Sequence, residues 1–165
     1  MRIHDDHMYH GAALTQIAEH EQFTSINAVR IVDELSRSAF RINGTIGVYL
    51  KYATTPKAGS DYVFTFTKPN KAELDWLSER CDNVFVAMVC VKDRQICCIS
   101  HEELADWLER RADALGHDEE TTTLLVGLPK GKAFRVNMNM PRRRKVYLDK
   151  PQLVPRKRFP GLLFE

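Results

Sequence analysis

The sequence predicts an α/β (α+β) domain built on a mixed sheet flanked by helices, with extra strands toward the C-terminus. Three observations carry that prediction. Stretches with apolar residues at helical spacing alternate along the chain with stretches that are β-branched, aromatic or apolar throughout. The pair Asn43-Gly44 separates two strand-like runs, and a type I′ hairpin turn needs positive φ at both of its central positions. Residues 83–91, NVFVAMVCV, are almost unbroken in apolar character, the pattern of a strand covered on both faces.

The elements follow in order. Residues 10–22 place Leu14, Ile17 and Ala18 at helical spacing and residues 26–37 place Val29, Val32 and Leu35 likewise, so two helices are expected to open the chain. Strands are expected at 39–43 and 46–53. After a loop marked by Pro56 and Gly59, the alternating DYVFTFT gives a third strand, antiparallel to the others. PNKAELDWLSER reads as a helix with Asn70 as its N-cap. The turn KDRQ joins the 83–91 strand to ICCIS. Ser100 and Glu103 form a capping box for the helix that follows, and Gly116 supplies its stop. TTTLLVGL and KAFRVNM are two more strands, joined by PKGK. Residues 1–140 are therefore read as one domain. Residues 141–165 are read as a basic extension whose apolar end (Phe159, Leu162, Leu163, Phe164) docks on the body.

Composition narrows the class. At 165 residues with 44% apolar content, the chain can bury a core without staples. No apolar run approaches the roughly 18 residues of a membrane span, so no membrane partner is expected. The start, MRIHDDHMYHG, lacks a secretory apolar segment, which makes a cytoplasmic location the expectation. Cys81, Cys90, Cys97 and Cys98 show no repeated CxxC spacing and are expected to be buried free thiols. His4, Asp5, Asp6, His7 and His10 are rich in ligand atoms but are expected to form a solvated leading segment, with His10 a hydrogen-bonding residue at a helix entrance.

The order αβββαβ between the first helices and NVFVAMVCV resembles the core of the restriction-endonuclease-like, PD-(D/E)XK, nucleases. Lys51 in VYLKYAT stands where a strand of that family carries its (D/E)-x-K lysine. The resemblance implies a metal-binding Asp near the hairpin, where this chain has Asn43. It implies an acid two residues before the lysine, where this chain has Tyr49. Glu19 or Glu34 would be the helix-borne acid. Phosphodiester hydrolysis of this kind needs carboxylates to hold Mg²⁺ or Mn²⁺ and generate the nucleophile, so the departures imply a degenerate core that needs no cofactor. The blocks HGAALTQIAEH, INGTIGVYLKYATTP and VFVAMVC are also similar to those of a family of small bacterial proteins of unassigned function. Such a core implies a nucleic-acid-associated role in DNA processing or defence. An active nuclease using Mg²⁺ or Mn²⁺ at a rearranged site, with Lys51, Glu19, Glu34 and Asn43 converging, is an alternative. Lys51 as a snorkelling lysine on an edge strand is the plain one.

Charge supplies the strongest chemical signal. Residues 129–165 hold 11 Lys and Arg against 2 Asp and Glu, a balance of +9 within a chain of net charge +2. Lys130, Lys132, Arg135, Arg142, Arg143, Arg144, Lys145, Arg156, Lys157 and Arg158, with Tyr147 and Phe159 among them, suit the phosphates and bases of DNA or RNA. The competing reading is a non-enzymatic assembly protein whose basic region meets its own acidic body, a protein partner or a second copy.

Overall fold

The computed structural model describes residues 1–57 and 60–165, so the loop glycine expected at 59 lies outside the described residues, as does the side chain of Arg144. The chain opens with α1 (Asp5–Ala18), β1 (Ile26–Ile31), β2 (Glu34–Ile42) and β3 (Ile46–Ala53). Next come β4 (Asp61–Phe66), α2 (Lys68–Arg80), β5 (Asn83–Cys90), β6 (Gln95–Ser100) and α3 (His101–Leu115). β7 (Thr122–Gly127), β8 (Phe134–Asn137), β9 (Asn139–Met140), β10 (Arg143–Tyr147), β11 (Gln152–Val154) and a 3₁₀ turn (Gly161–Phe164) complete it.

The α+β class holds, with a mixed first sheet. Its strand order is β1-β2-β3-β5-β6, antiparallel except for the parallel pair β3 and β5. A second, antiparallel sheet runs β11-β8-β7-β4, and β9 with β10 forms a separate small hairpin. One face of the first sheet (Ala39, Tyr49, Val86, Met88, Cys97, Ile99) shares a core with Leu74 and Leu77 of α2, Leu104 and Trp107 of α3, and the inner face of the second sheet. The opposite face (Ile42, Val48, Leu50, Ala87, Val89, Cys98) packs on Ala13 and Ile17 of α1. β5 therefore has to be apolar at nearly every position, as NVFVAMVC is. The four cysteines are free and buried. Burial pushes the Cys90 and Cys98 thiols up to about 12 and Cys97 well above its ordinary value, which leaves these three unreactive near neutral pH.

Four expectations need correction. Residues 26–37 form no helix but the β1–β2 hairpin, turning at Val32 and Asp33 with φ of 49° and 64°. Val32 and Leu35 are 90% and 52% exposed, so their helical spacing with Val29 marks no buried face. Neither Asn nor Gly announces this turn, and a β-branched residue at positive φ is rarely chosen for one. The third expected strand, β4, leaves the first sheet and pairs with β7, which lets β5 lie parallel beside β3. The N-cap of α2 is Thr67, whose hydroxyl accepts from the Asn70 amide, and Asn70 sits three residues inside. Residues 5–9 belong to α1 and are not a free leading segment, with His7 Nδ1 accepting from the His4 amide at 3.0 Å. By contrast, Asn43 and Gly44 turn with φ of 53° and 79°, the Ser100 and Glu103 capping box starts α3, and Gly116 ends it at φ 85°.

The chain beyond residue 140 is woven into both cores. β11 pairs with β8, Val154 is buried with the second sheet, and Phe159 and Leu163 are buried beside α1. The Phe164 ring stacks on His20 at 4.2 Å between centroids.

Candidate functional site

Two places carry chemistry-bearing side chains. The first lies where β2 and β3 part. Their ladder covers only Ala39–Ile42 against Ile46–Tyr49, so the N-terminal half of β2 diverges from β3 and opens a cleft lined by His10, Arg37, Ser38, Lys51 and Tyr52. Tyr49 and Lys51, two apart on β3, point to the side that holds α2. Lys51 Nζ donates to Asn70 Oδ1 at 3.0 Å, Asn70 Nδ2 donates to the Tyr49 hydroxyl at 3.0 Å, and that hydroxyl donates to Glu73 Oε1 at 3.2 Å. Ser36 donates a short bond to the same carboxylate. Across the sheet, His10 is buried and its Nδ1–H donates to the Arg37 carbonyl at 2.9 Å. Burial lowers the pKa of both groups. The Arg37 carbonyl works against the shift at His10, and Glu73 works against it at Lys51.

This arrangement relocates the expected partners of Lys51. Glu19 is the exposed C-cap of α1, and α1 packs on the opposite face of the sheet. Glu34 is not helix-borne: it is the exposed first residue of β2, paired with Ile31 at the hairpin tip. Asn43 lies at the far end of β3, about 17 Å away at ~3.3 Å per strand residue. There its side chain accepts from Thr24 and Ser25 amides at 2.7 and 3.2 Å and donates to the Gln22 carbonyl at 2.8 Å. Asn43 thus ties the loop after α1 to the turn that its own backbone makes. Glu73 is the carboxylate that reaches the Lys51 network. No group of three or more His, Cys, Asp and Glu side chains gathers in metal-holding geometry among the described residues.

Lys51 is therefore a half-buried cation facing a neutral amide. Because its folded pKa is depressed, it costs stability below that pKa, and the cost fades as pH rises toward its ordinary 10.5. Lys51→Met is expected to leave the fold intact and to match or exceed the wild type by up to about 1 kcal/mol near pH 7. The difference should close as pH climbs toward 10.5, and urea titrations at several pH values read it. A variant destabilised by several kcal/mol would mean that the Asn70 bond outweighs burial.

The second place is the basic region, which the fold divides. Arg158 pairs with Glu103 Oε1 at 2.9 Å, and Arg156 donates to the Pro129 and Lys132 carbonyls at 2.9 and 2.8 Å while lying 4.7 Å from the Phe134 ring. These two are structural cations. Lys130, Lys132, Arg135, Arg142, Arg143, Lys145 and Lys157 are exposed, and none makes an ion pair among the described residues.

Hairpin geometry explains why several of these project. Arg143 pairs with Met140 and Tyr147 with Asn139, so five residues of β10 face two of β9 and the strand bulges outward. Arg142 and Lys145 adopt φ of 62° and 64° to make that excursion. The hairpin is held at its base: Arg111 of α3 donates to the Asn139 carbonyl at 2.7 Å and pairs with Glu119 at 2.8 Å.

Comparison with protein-family models, curated proteins and solved structures finds no match for this chain. The site therefore rests on its own geometry.

Reading by sequence missed Ser36, Asn70 and Glu73 as companions of Lys51. The three-residue spacing of Asn70 and Glu73 puts them on one side of α2, which is a usable signal, but nothing local ties that side to β3. It also missed Asp61. The Tyr147 hydroxyl, 86 residues away, donates to Asp61 Oδ2 at 3.0 Å.

Proposed function

We propose that the protein binds the phosphate backbone of nucleic acid through the cationic hairpin β9–β10 and its neighbours. In this reading the first sheet is a nuclease-like core that serves as scaffold. The observation that carries it is the exposed set of seven cations with no carboxylate partner among the described residues, in a chain whose first 128 residues hold 20 Asp and Glu. Acidic side chains were there to be paired, yet of the nine expected contacts whose side chains are described, Arg158 alone makes an ion pair. Clustered cations repel one another, and a polyanion relieves that repulsion while releasing its own counterions. The assembly reading loses its apolar anchor, because Phe159 and Leu163 are 7% and 2% exposed within this chain's own core.

Support for the nuclease-like description is the place of Lys51 on the strand beside the β2–β3 opening, together with the mixed order of the first sheet. Its expected acids lie elsewhere, so binding is the activity proposed. No described helix is long and apolar enough to cross a membrane.

Fluorescence anisotropy of labelled DNA and RNA across a salt series tests the reading. Four phosphate contacts predict a slope of log K against log salt of about −3.6 for duplex DNA, at about −0.9 per contact. An affinity indifferent to salt, or none at low salt, would remove it.

A further inference from the structure

We propose that the cleft on the outer face of the second sheet is a base-stacking site, with Tyr147 as platform and Arg135 as the adjoining phosphate contact, which makes the interface select single strands. This inference rests on the nucleic-acid reading above and specifies its substrate class.

The outer face of this sheet is unusual. Inner positions alternate with outer ones along β8, so Phe134 and Val136 are buried while Arg135 stands out. Arg135 and Tyr147 line a cavity of 220 Å³ whose apolar part is Leu125, Leu128, Pro129 and Pro151, with Ser60, Asp61 and Asn137 as its polar part. Apolar side chains of this kind, with a few polar groups beside them, suit an aromatic ligand better than a hydrated ion.

Tyr147 is prepared for such a ligand. Half of it is exposed, at 50%, while its hydroxyl is tied to Asp61 Oδ2 at 3.0 Å. A ring held at one end and open elsewhere has little rotamer freedom left to lose on binding. Gly127 makes the tie possible, because a Cβ there would stand 2.7 Å from Asp61 Oδ1. Any larger residue on that strand position would displace the carboxylate that aims the ring.

Cations adjoin two of the cavity's lining residues, Tyr147 and Pro129, along the chain. β10 delivers Arg143 and Lys145 just before Tyr147, and the loop after Pro129 delivers Lys130 and Lys132. A strand whose phosphates follow these cations passes over the ring. In a duplex the base faces are already stacked and paired, so a surface tyrosine gains nothing from them. Single strands expose a π-face on every base.

The test is anisotropy with the full chain and three labelled probes: a short oligothymidylate, an abasic phosphodiester strand of equal length, and a duplex. Oligothymidylate is expected to bind more tightly than the abasic strand. Tyr147→Ala should erase that advantage, a loss of about 5- to 150-fold for thymidylate, and Tyr147→Phe should keep most of it. Retained salt-dependent binding of the abasic strand by Tyr147→Ala shows that its hairpin is intact. Equal binding of thymidylate and abasic strands by the wild type, or an advantage that survives Tyr147→Ala, overturns the stacking site and leaves phosphate binding standing. Failure of all three probes to bind at low salt overturns both.

Discussion

Replacing Arg142, Arg143 and Lys145 together by glutamate is expected to abolish nucleic-acid binding near physiological salt while changing stability by less than about 1 kcal/mol. All three side chains are exposed, and none makes an ion pair or a side-chain hydrogen bond among the described residues, so the fold loses neither when they change. The binding effect is far larger. Each phosphate contact contributes about −0.9 to the salt slope for duplex DNA, so three lost contacts flatten it by about 2.7. Measured against the 1 M reference, that is roughly 500-fold in affinity at 0.1 M salt, before any repulsion from the new carboxylates. The same anisotropy series, paired with thermal unfolding, reads both quantities. A triple variant that binds as the wild type does would place the contact elsewhere on the molecule, and one that unfolds would make the hairpin a structural element.

Glu103→Ala is expected to cost about 2–3 kcal/mol, because one carboxylate serves three parts of the fold. Its Oε1 accepts from the Ser100 amide at 2.9 Å, closing the capping box of α3, and from Arg158 at 2.9 Å, holding the C-terminal segment. Its Oε2 accepts a short bond from Gln152 of β11, and Gln152 in turn accepts from the indole of Trp107 at 2.8 Å. The pH dependence has a definite sign. Burial works to raise the Glu103 pKa, but the Ser100 amide and Arg158 outweigh it and hold the carboxyl below its ordinary 4.5. The unfolded chain then binds the proton more readily than the folded one. The contribution of Glu103 is complete above about 4.5 and is lost as pH falls through the folded value. Denaturant titrations of wild type and Glu103→Ala should therefore differ by a constant amount at neutral pH and converge in acid. A gap that persists unchanged well below pH 4 would mean that shape, not charge, supplies the contribution.

Much of the secondary structure was legible because it is written in local chemistry. Asn43-Gly44 can take positive φ at low cost, Ser100 and Glu103 can satisfy each other's backbone amides, and the apolar run at 83–91 has no water-facing side to supply. The one element read wrongly, residues 26–37, failed for a local reason too. Val29, Val32 and Leu35 have helical spacing, yet Val32 sits at the tip of a tight turn, in a conformation that its own side chain disfavours. Only the pairing of β1 with β2 holds it there.

The candidate sites were legible in part. The surplus of cations after residue 128 is a property of composition, and Lys51 could be picked out as a lone cation on an otherwise apolar or aromatic strand. Which cations are free was not. Arg156 and Arg158 look no different in the sequence from Arg142 and Arg143, but the first two are spent on carbonyls, a ring and Glu103. The companions of Lys51 were equally hidden, since Asn70 and Glu73 reach it only because β4 crosses to the second sheet and returns α2 over β3.

The sequence alone thus specified the α+β class, most of the helices and strands, the buried thiols and the polarised charge, all of which depend on neighbours a few residues apart. Tertiary structure decided the register of the sheets, the partners of Lys51, the division of the basic region, and the meeting of Tyr147 with Asp61. The reason is physical. Backbone preference and side-chain period act over one or two turns, whereas a hydrogen bond between residues 86 apart exists only after the chain between them has packed.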